Sequence, residues 1–208
     1  MRDEAKETMR QEACARRGRM NDRETLGESV CRRLLATPEY RAARQLSIYV
    51  GTADEVQTLF VLASAWRSNR EVAVPCCVGG GLQLFWIRDA SELRPRTLGI
   101  LEPSDEVRRD PARRATVDQL DLIVVPGLAF DRRCGRLGHG KGYYDRLLRS
   151  VPAAVPVVAL AFECQVFAEV PMGDHDVFVD KVLTERALYE RTGKGPRSTG
   201  DGRCRANN

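Results

Sequence analysis

Two stretches of unbroken apolar character, "DLIVVPG" (Asp121 to Gly127) and "VPVVALAF" (Val155 to Phe162), bracket a glycine-rich segment and a helical pattern. A strand that is apolar at every position must be covered on both faces, a condition met in a parallel sheet with helices on either side. "GYYDRLLRSV" (Gly142 to Val151) supplies the helix between them. The same order occurs upstream. "QLSIYV" (Gln45 to Val50) is a short β-prone run, "GTADE" is turn-like, and "VQTLFVLASAW" (Val56 to Trp66) has the length and periodicity of a buried amphipathic helix. Strands alternating with helices predict an α/β fold with a mainly parallel sheet flanked by helices.

The remaining segments fit around that frame. The first 40 or so residues lack proline until Pro38 and are rich in Ala, Arg, Glu, Leu and Met, so they read as helical. "EVAVPCCV" and "LQLFWI" flank Gly79 to Gly81 as a hairpin. From Arg88 to Gln119 the chain is dense in charge and carries Pro95, Pro103 and Pro111, which predicts a long loop with at most short helices. Past Glu190 the apolar period stops. Residues 1–190 are therefore expected to form a single domain and residues 191–208 a basic, disordered tail.

Charge and cysteine usage exclude several classes. Arg191, Lys194, Arg197, Arg203 and Arg205 against Asp201 carry the whole formal excess of +4, leaving the rest of the chain neutral. Net charge thus gives no support to a nucleic-acid face, and no nucleic-acid partner is expected. The seven cysteines (Cys14, Cys31, Cys76, Cys77, Cys134, Cys164 and Cys204) are odd in number and without a CxxC pair. They suggest neither a disulfide framework nor a zinc site. No run approaches the roughly 18 apolar residues of a membrane span, and the start is too charged for a secretory signal, so a cytoplasmic protein with no membrane partner is expected.

"GRLGHGKG" (Gly135 to Gly142) nearly fits the phosphate-loop pattern GxxxxGK[ST], with Gly140 and Lys141 in place. It ends in glycine where the pattern has a hydroxyl. The dinucleotide pattern GxGxxG fails as well, because Tyr143 stands at its last glycine. The underlying physics survives both failures: a glycine-rich segment between a strand and a helix lets backbone N–H groups converge on an anion. Lys141 would add a mobile cation, and Asp145 could supply the magnesium ligand that Gly142 lacks. A plain turn, with Asp145 stabilised near a helix N-terminus, is the alternative.

"VVPGLAFDRRCGRLGHGKGYYDRLL" (Val124 to Leu148) resembles the 5-formyltetrahydrofolate cyclo-ligases, also called 5,10-methenyltetrahydrofolate synthetases, over 25 consecutive residues. Their hallmark is an apolar strand followed by PG(L/V)xFD and RLGxGxGYYDR. Weaker likeness runs from Lys6 to Leu183, including "LGILEP" and "VPMGDHDVFVDKVLTE". The resemblance implies a fold similar to the sugar-phosphate isomerase and CoA-transferase-like proteins. It also implies ATP binding by Lys6 and Arg10 of "AKETMR" together with Arg136, Leu137, Gly138, His139, Gly140, Lys141, Gly142, Tyr143 and Tyr144. Lys6 and Arg10, four apart, share a helix face. Reduced folate would meet Val50, Glu55, His139, Gly140, Lys141, Gly142 and Tyr143, and Mg2+ would meet Asp145 and Asp176, with Asp180 a weaker candidate. A monomer is implied too.

The implied reaction is ATP-dependent closure of 5-formyltetrahydrofolate to 5,10-methenyltetrahydrofolate through phosphorylation of the formyl oxygen. Lys141 and Arg136 would be the catalytic groups. Phosphoryl transfer asks mainly for positioning and charge neutralisation. Tyr143 and Tyr144 point in different directions at the helix start, so at most one is expected to face the ligands while the other packs. Cys76 stands where many relatives carry a basic residue, His139 is either a loop filler or a general base, and His175 has only its location to recommend it. Arg108, Arg109, Arg113 and Arg114 either meet an acidic folate tail or form a solvated face. Two competing classes remain: a non-catalytic nucleotide-binding relative whose basic tail binds RNA or a protein, and an isomerase or CoA transferase that needs no ATP.

Overall fold

The computed structural model describes residues 2–96, 100–192 and 197. The first residues of "LGILEP" and most of the basic tail lie outside them. The chain begins with α1 (Arg2–Gly18), α2 (Arg23–Ala36) and α3 (Pro38–Ala42). Pro38 ends one helix and opens the next: it lacks the N–H that α2 would need, while its φ suits a first helical turn. Thr37 caps α3 by accepting from the Tyr40 N–H.

Then follow β1 (Gln45–Ile48), α4 (Leu59–Arg67), β2 (Glu71–Val78), β3 (Gly81–Ile87), β4 (Leu93–Pro95), β5 (Leu101–Pro103), α5 (Asp105–Arg109) and β6 (Arg114–Ala115). The second half holds β7 (Leu122–Val125), β8 (Ala129–Asp131), β9 (Arg136–Leu137), α6 (Tyr143–Arg149), β10 (Val157–Leu160), β11 (Val166–Phe167), β12 (Lys181–Leu183) and β13 (Leu188–Glu190). Eight strands form one sheet in the order β13-β12-β10-β7-β1-β2-β3-β6. The five from β12 to β2 are mutually parallel, while β13, β3 and β6 add antiparallel edges. The sheet is mainly parallel, as the alternation of strands and helices predicts.

Alternation along β7 shows why an unbroken apolar run is required. Leu122 and Val124 pack into one core with Leu34 of α2 and Val61 and Leu62 of α4. Ile123 and Val125 pack into the other with Leu148 of α6 and Val151. Each fully buried side chain of this size contributes about 1.5–3 kcal/mol over exposure. Either face made polar would strip one helical layer from the sheet.

The connections create the crevice that holds the site. From β1 the chain passes through α4 to β2 on one side, and from β7 through α6 to β10 on the other. Neighbouring strands β1 and β7 therefore send their loops in opposite directions, which opens a cleft beyond their carboxyl ends. No described helix is long and apolar enough to cross a membrane.

Three expectations need correction. The segment from Arg88 to Gln119 is more than loop and short helix, since β4 and β5 pair there and β6 joins the main sheet. Between β7 and α6 the chain inserts the hairpin β8–β9, extended by β11 into a second small sheet, so Arg136 and Leu137 are strand residues. Within the tail, Arg191 and Arg197 are not loose: both ion-pair with Asp180, and Arg197 also donates to the Val151, Pro152 and Val155 carbonyls.

Candidate active site

Helix α1 lays one stripe of side chains over the small sheet. Ala13 is fully buried against Leu128, Ala129 and Leu137, and Arg10 and Lys6 follow one and two turns earlier on the same face. This places both cations at the glycine loop. Arg10 Nε donates to the Gly138 carbonyl at 3.1 Å, and Lys6 ion-pairs with Asp176, 170 residues away in sequence. Asp176 Oδ2 also accepts from the Gly173 N–H at 2.6 Å. With Arg146, Arg149 and His175, these groups line a cleft of about 370 Å3. Four basic side chains, Lys6, Arg10, Arg146 and Arg149, face three carboxylates, Asp3, Asp145 and Asp176, so the cleft is cationic by a single formal charge.

The loop's backbone explains its glycines at two places. Gly140 has φ +92° and would press a Cβ to 3.3 Å from the Arg10 guanidinium carbon, and Gly142 begins α6 at φ +62°. Helix α6 spans seven residues, so its dipole is short, and side chains supply most of the positive charge here. Arg146 donates to the Lys141 carbonyl at 3.0 Å and to the Gly80 carbonyl at 2.9 Å, tying the loop to the β2–β3 hairpin. The spacing of "YYDRLLR" carried part of that signal, since Arg146 lies three residues from both Tyr143 and Arg149 and so neighbours each on the helix surface.

Asp145 and Arg136 form the inner wall. The Arg136 guanidinium, almost wholly buried, donates to Asp145 Oδ2 at 3.1 Å and to the Pro126 carbonyl at 3.3 Å. Asp145 Oδ1 accepts from the Val177 N–H at 3.2 Å. Arg136 thus clamps and orients Asp145, and it also lines the junction cavity described below. Asp145 and Asp176 both face the cationic cleft; Asp180 is instead occupied by Arg191, Arg197 and the Val157 N–H.

A second, more apolar cleft of about 350 Å3 lies across the loop, lined by Tyr49, Val50, Glu55, Leu101, Pro126 and Tyr144 among others. Glu55, 8% exposed, accepts from the Thr52 N–H at 3.0 Å and lies 3.8 Å from His139 Nε2. Burial pushes its carboxyl up, but His139, the Thr52 N–H and the Arg17 charge outweigh that, and it ends below its ordinary value of 4.5. Burial and then the Glu55 charge push the Tyr49 and Tyr144 phenols up, and the Tyr49 hydroxyl donates to the Val56 carbonyl at 3.0 Å. A small cavity of about 130 Å3 shares Gly138, Gly142 and Asp145 with the cationic cleft, and Cys77, Pro126, His139 and Tyr144 with the apolar one. Lys141, exposed and without an ion pair among the described residues, lines this junction.

Cys76 is buried in the core, where it donates to Glu102 and where burial, then Glu102, pushes its thiol up to about 12. Strand alternation turns Cys77 into the clefts instead. Of the two tyrosines, Tyr144 packs on the core and still borders the apolar cleft, while Tyr143 faces the junction, with the Arg146 guanidinium 5.2 Å from its ring. Arg108, Arg109 and Arg114 line a separate cleft of about 290 Å3; Arg113 is committed to Glu92 on another face.

The low Glu55 value has a measurable consequence. A carboxyl whose folded pKa lies below its unfolded one adds stability above the unfolded value and loses it as pH falls through the folded one. Glu55→Gln should therefore flatten the stability-against-pH curve below about pH 4.5 relative to the parent, read by urea titration at a series of pH values. Parallel curves would show that Glu55 titrates alike in both states.

Two adjoining clefts that share a glycine loop lie at the carboxyl edge of the mainly parallel sheet of this α/β protein. The chain belongs to the 5-formyltetrahydrofolate cyclo-ligase family, whose model matches residues 2–185. It is 31% identical to the 5-formyltetrahydrofolate cyclo-ligase of Mus musculus over 87% of this chain and 94% of that protein. With the Escherichia coli K12 protein of the same name it shares 27% identity over 79% and 91%. The solution structure of Aquifex aeolicus 5,10-methenyltetrahydrofolate synthetase superposes with a TM-score of 0.78 and 28% identity, covering 95% of this chain and 98% of that one.

Proposed function

We propose that this chain closes 5-formyltetrahydrofolate to 5,10-methenyltetrahydrofolate at the cost of ATP. The formyl oxygen would take the γ-phosphoryl group, releasing ADP. N10 would then attack the activated formyl carbon and lose its proton, and the C–O bond would break to release inorganic phosphate. The observation that carries this reading is the junction at Lys141, which joins the cationic cleft to the apolar one.

Each wall has a task in this scheme. Lys6, Arg10, Arg146 and Arg149 hold the triphosphate by charge, and the loop from Gly138 to Gly142 supplies backbone donors. The apolar cleft takes the pterin, with the Glu55 carboxylate accepting from ring N–H groups and Val50 and Tyr144 packing on its faces. Lys141 neutralises charge on the group in flight, which is most of what phosphoryl transfer demands of a protein. Arg136 holds Asp145 in place.

Asp145 and Asp176 are the groups that would hold Mg2+. Their donor set fits: magnesium is commonly carried by one or two carboxylates plus phosphate oxygens, and both oxygen-bearing groups border the cationic cleft. When bound, the ion supplies neutralisation of the triphosphate charge. Among the described residues no cluster of three or more acidic, histidine or cysteine groups offers an all-protein cage, which agrees with an ion that arrives with its nucleotide.

The scheme is tested by incubating the protein with 5-formyltetrahydrofolate, with and without Mg-ATP, and following the methenyl chromophore. Product only with Mg-ATP is the expected result, with one ADP formed per ring closed. Product without ATP, or none from folded protein, would overturn it. In the same reading the protein works as a cytoplasmic monomer. Light scattering at micromolar concentration checks the oligomeric part.

A further inference from the structure

The largest of the described clefts, about 660 Å3, lies far from the folate and phosphate clefts. Arg44 precedes β1, Glu71 opens β2 and Arg88 follows the antiparallel β3, so all three sit at the amino edge of the parallel strands. Along β2, Val72 at this edge and Cys77 at the other are separated by about 17 Å, five residues of strand at roughly 3.3 Å each. This cleft and the folate cleft share no lining residue.

Its lining has two further properties. Four guanidinium groups, those of Arg44, Arg70, Arg88 and Arg113, border one cavity against a single carboxylate, Glu71, which already accepts from Gln45 at 2.7 Å. Arg113 is held by Glu92 and by the Trp86 carbonyl, and Arg70 stacks 4.4 Å over the Tyr40 ring. The side chains of Arg44 and Arg88 have no acceptor among the described residues. Arg44 and Arg88 are both exposed, and like charges that line one cleft repel less when an anion binds there. The second property is aromatic: Trp66 and Trp86, the only two tryptophans of the chain, both line this cleft, with the Trp66 indole N–H fixed on the Ile87 carbonyl at 2.9 Å.

We propose that this cleft is a second binding site, for a nucleoside monophosphate, in which Arg44 and Arg88 grip the phosphate and the indole faces receive the base. Arginine provides forked donors that match phosphate oxygens, and a planar ring is the natural partner for an indole edge or face. The cavity volume lies within the range of small-ligand pockets. The held pair, Arg70 and Arg113, sets the shape, and the free pair supplies the charge.

Both tryptophans report on this cleft and neither lines the folate site, so titrating adenosine monophosphate into the full chain while reading tryptophan emission tests the proposal without turnover. A saturable change is expected, weakened at least about tenfold in Arg44→Ala/Arg88→Ala, with closure of 5-formyltetrahydrofolate by that variant unaltered. Adenosine and inorganic phosphate, each lacking half of the recognition, should bind more weakly. No saturable change with adenosine monophosphate, or equal affinity in the double variant, would overturn the site. Phosphate binding as tightly as the nucleotide would overturn the base-binding half, and a single-stranded RNA binding far more tightly than either would identify a polynucleotide face instead. The Arg88→Glu variant repeats the test should the double variant alter emission by itself.

Discussion

Lys141→Ala should lower the turnover number by about 10²–10³-fold, the loss expected when one charge-stabilising donor is removed from a developing anion. The side chain is exposed and carries no ion pair among the described residues, so its removal leaves the fold intact. It lines the junction between the two clefts, where the transferring phosphoryl group would be neither with its nucleotide nor yet on the folate. An interaction made mainly at that point affects kcat more than KM. Lys6, Arg10, Arg146 and Arg149 remain to bind the nucleotide, so KM for ATP should change much less than kcat. Steady-state kinetics with each substrate saturating separates the two constants. Wild-type kcat, or a loss confined to KM for ATP, would move Lys141 from the reaction to nucleotide binding.

What the sequence disclosed of the fold follows a physical divide. β7, α6 and β10 were legible because burial on both faces forces unbroken apolar strands, and a helix between them has its own period. The β8–β9 hairpin was not: its strands are three and two residues long, too short for any period to declare itself. That omission matters for the site. Without the hairpin, Arg136 reads as a mobile loop cation, whereas in place it is a buried side chain clamped to Asp145.

Long-range pairs divide in the same way. The partnership of Lys6 with Asp176 joins the two ends of the chain and leaves no local trace, so only the family resemblance placed both at one site. Spacing alone shows that Lys6 and Arg10 share a face, not what that face meets. Strand alternation could have separated Cys76 from Cys77, but the register of β2 depends on which neighbour covers which side. The arginines from Arg108 to Arg114 looked alike in sequence, and only chain direction sends Arg113 to Glu92 and the others to a separate cleft.

Asp131→Ala should destabilise the folded chain by about 3 kcal/mol, through three orphaned backbone donors. Asp131 is fully buried and accepts from the Arg133 N–H at 2.9 Å, the Gly135 N–H at 2.8 Å and the Val170 N–H at 2.9 Å. These bonds hold the turn in which Cys134 adopts φ +66°, a conformation that a non-glycine residue reaches only where its surroundings enforce it. Gly135 is packed so closely that a Cβ there would lie 2.8 Å from the Asp131 carboxylate. Asp131→Asn keeps one oxygen for the two turn donors, and although its NH2 then faces the Val170 N–H, a donor against a donor, two of the three bonds survive and its cost should fall below that of alanine. Urea denaturation should show midpoints in the order parent, asparagine, alanine at a constant slope. Arg136 begins the strand next to this turn, so the alanine variant should also lose turnover in its folded fraction as the clamp on Asp145 loosens. Equal midpoints for all three proteins would mean that water can replace the carboxylate, and the turn would then have to be held by strand pairing alone.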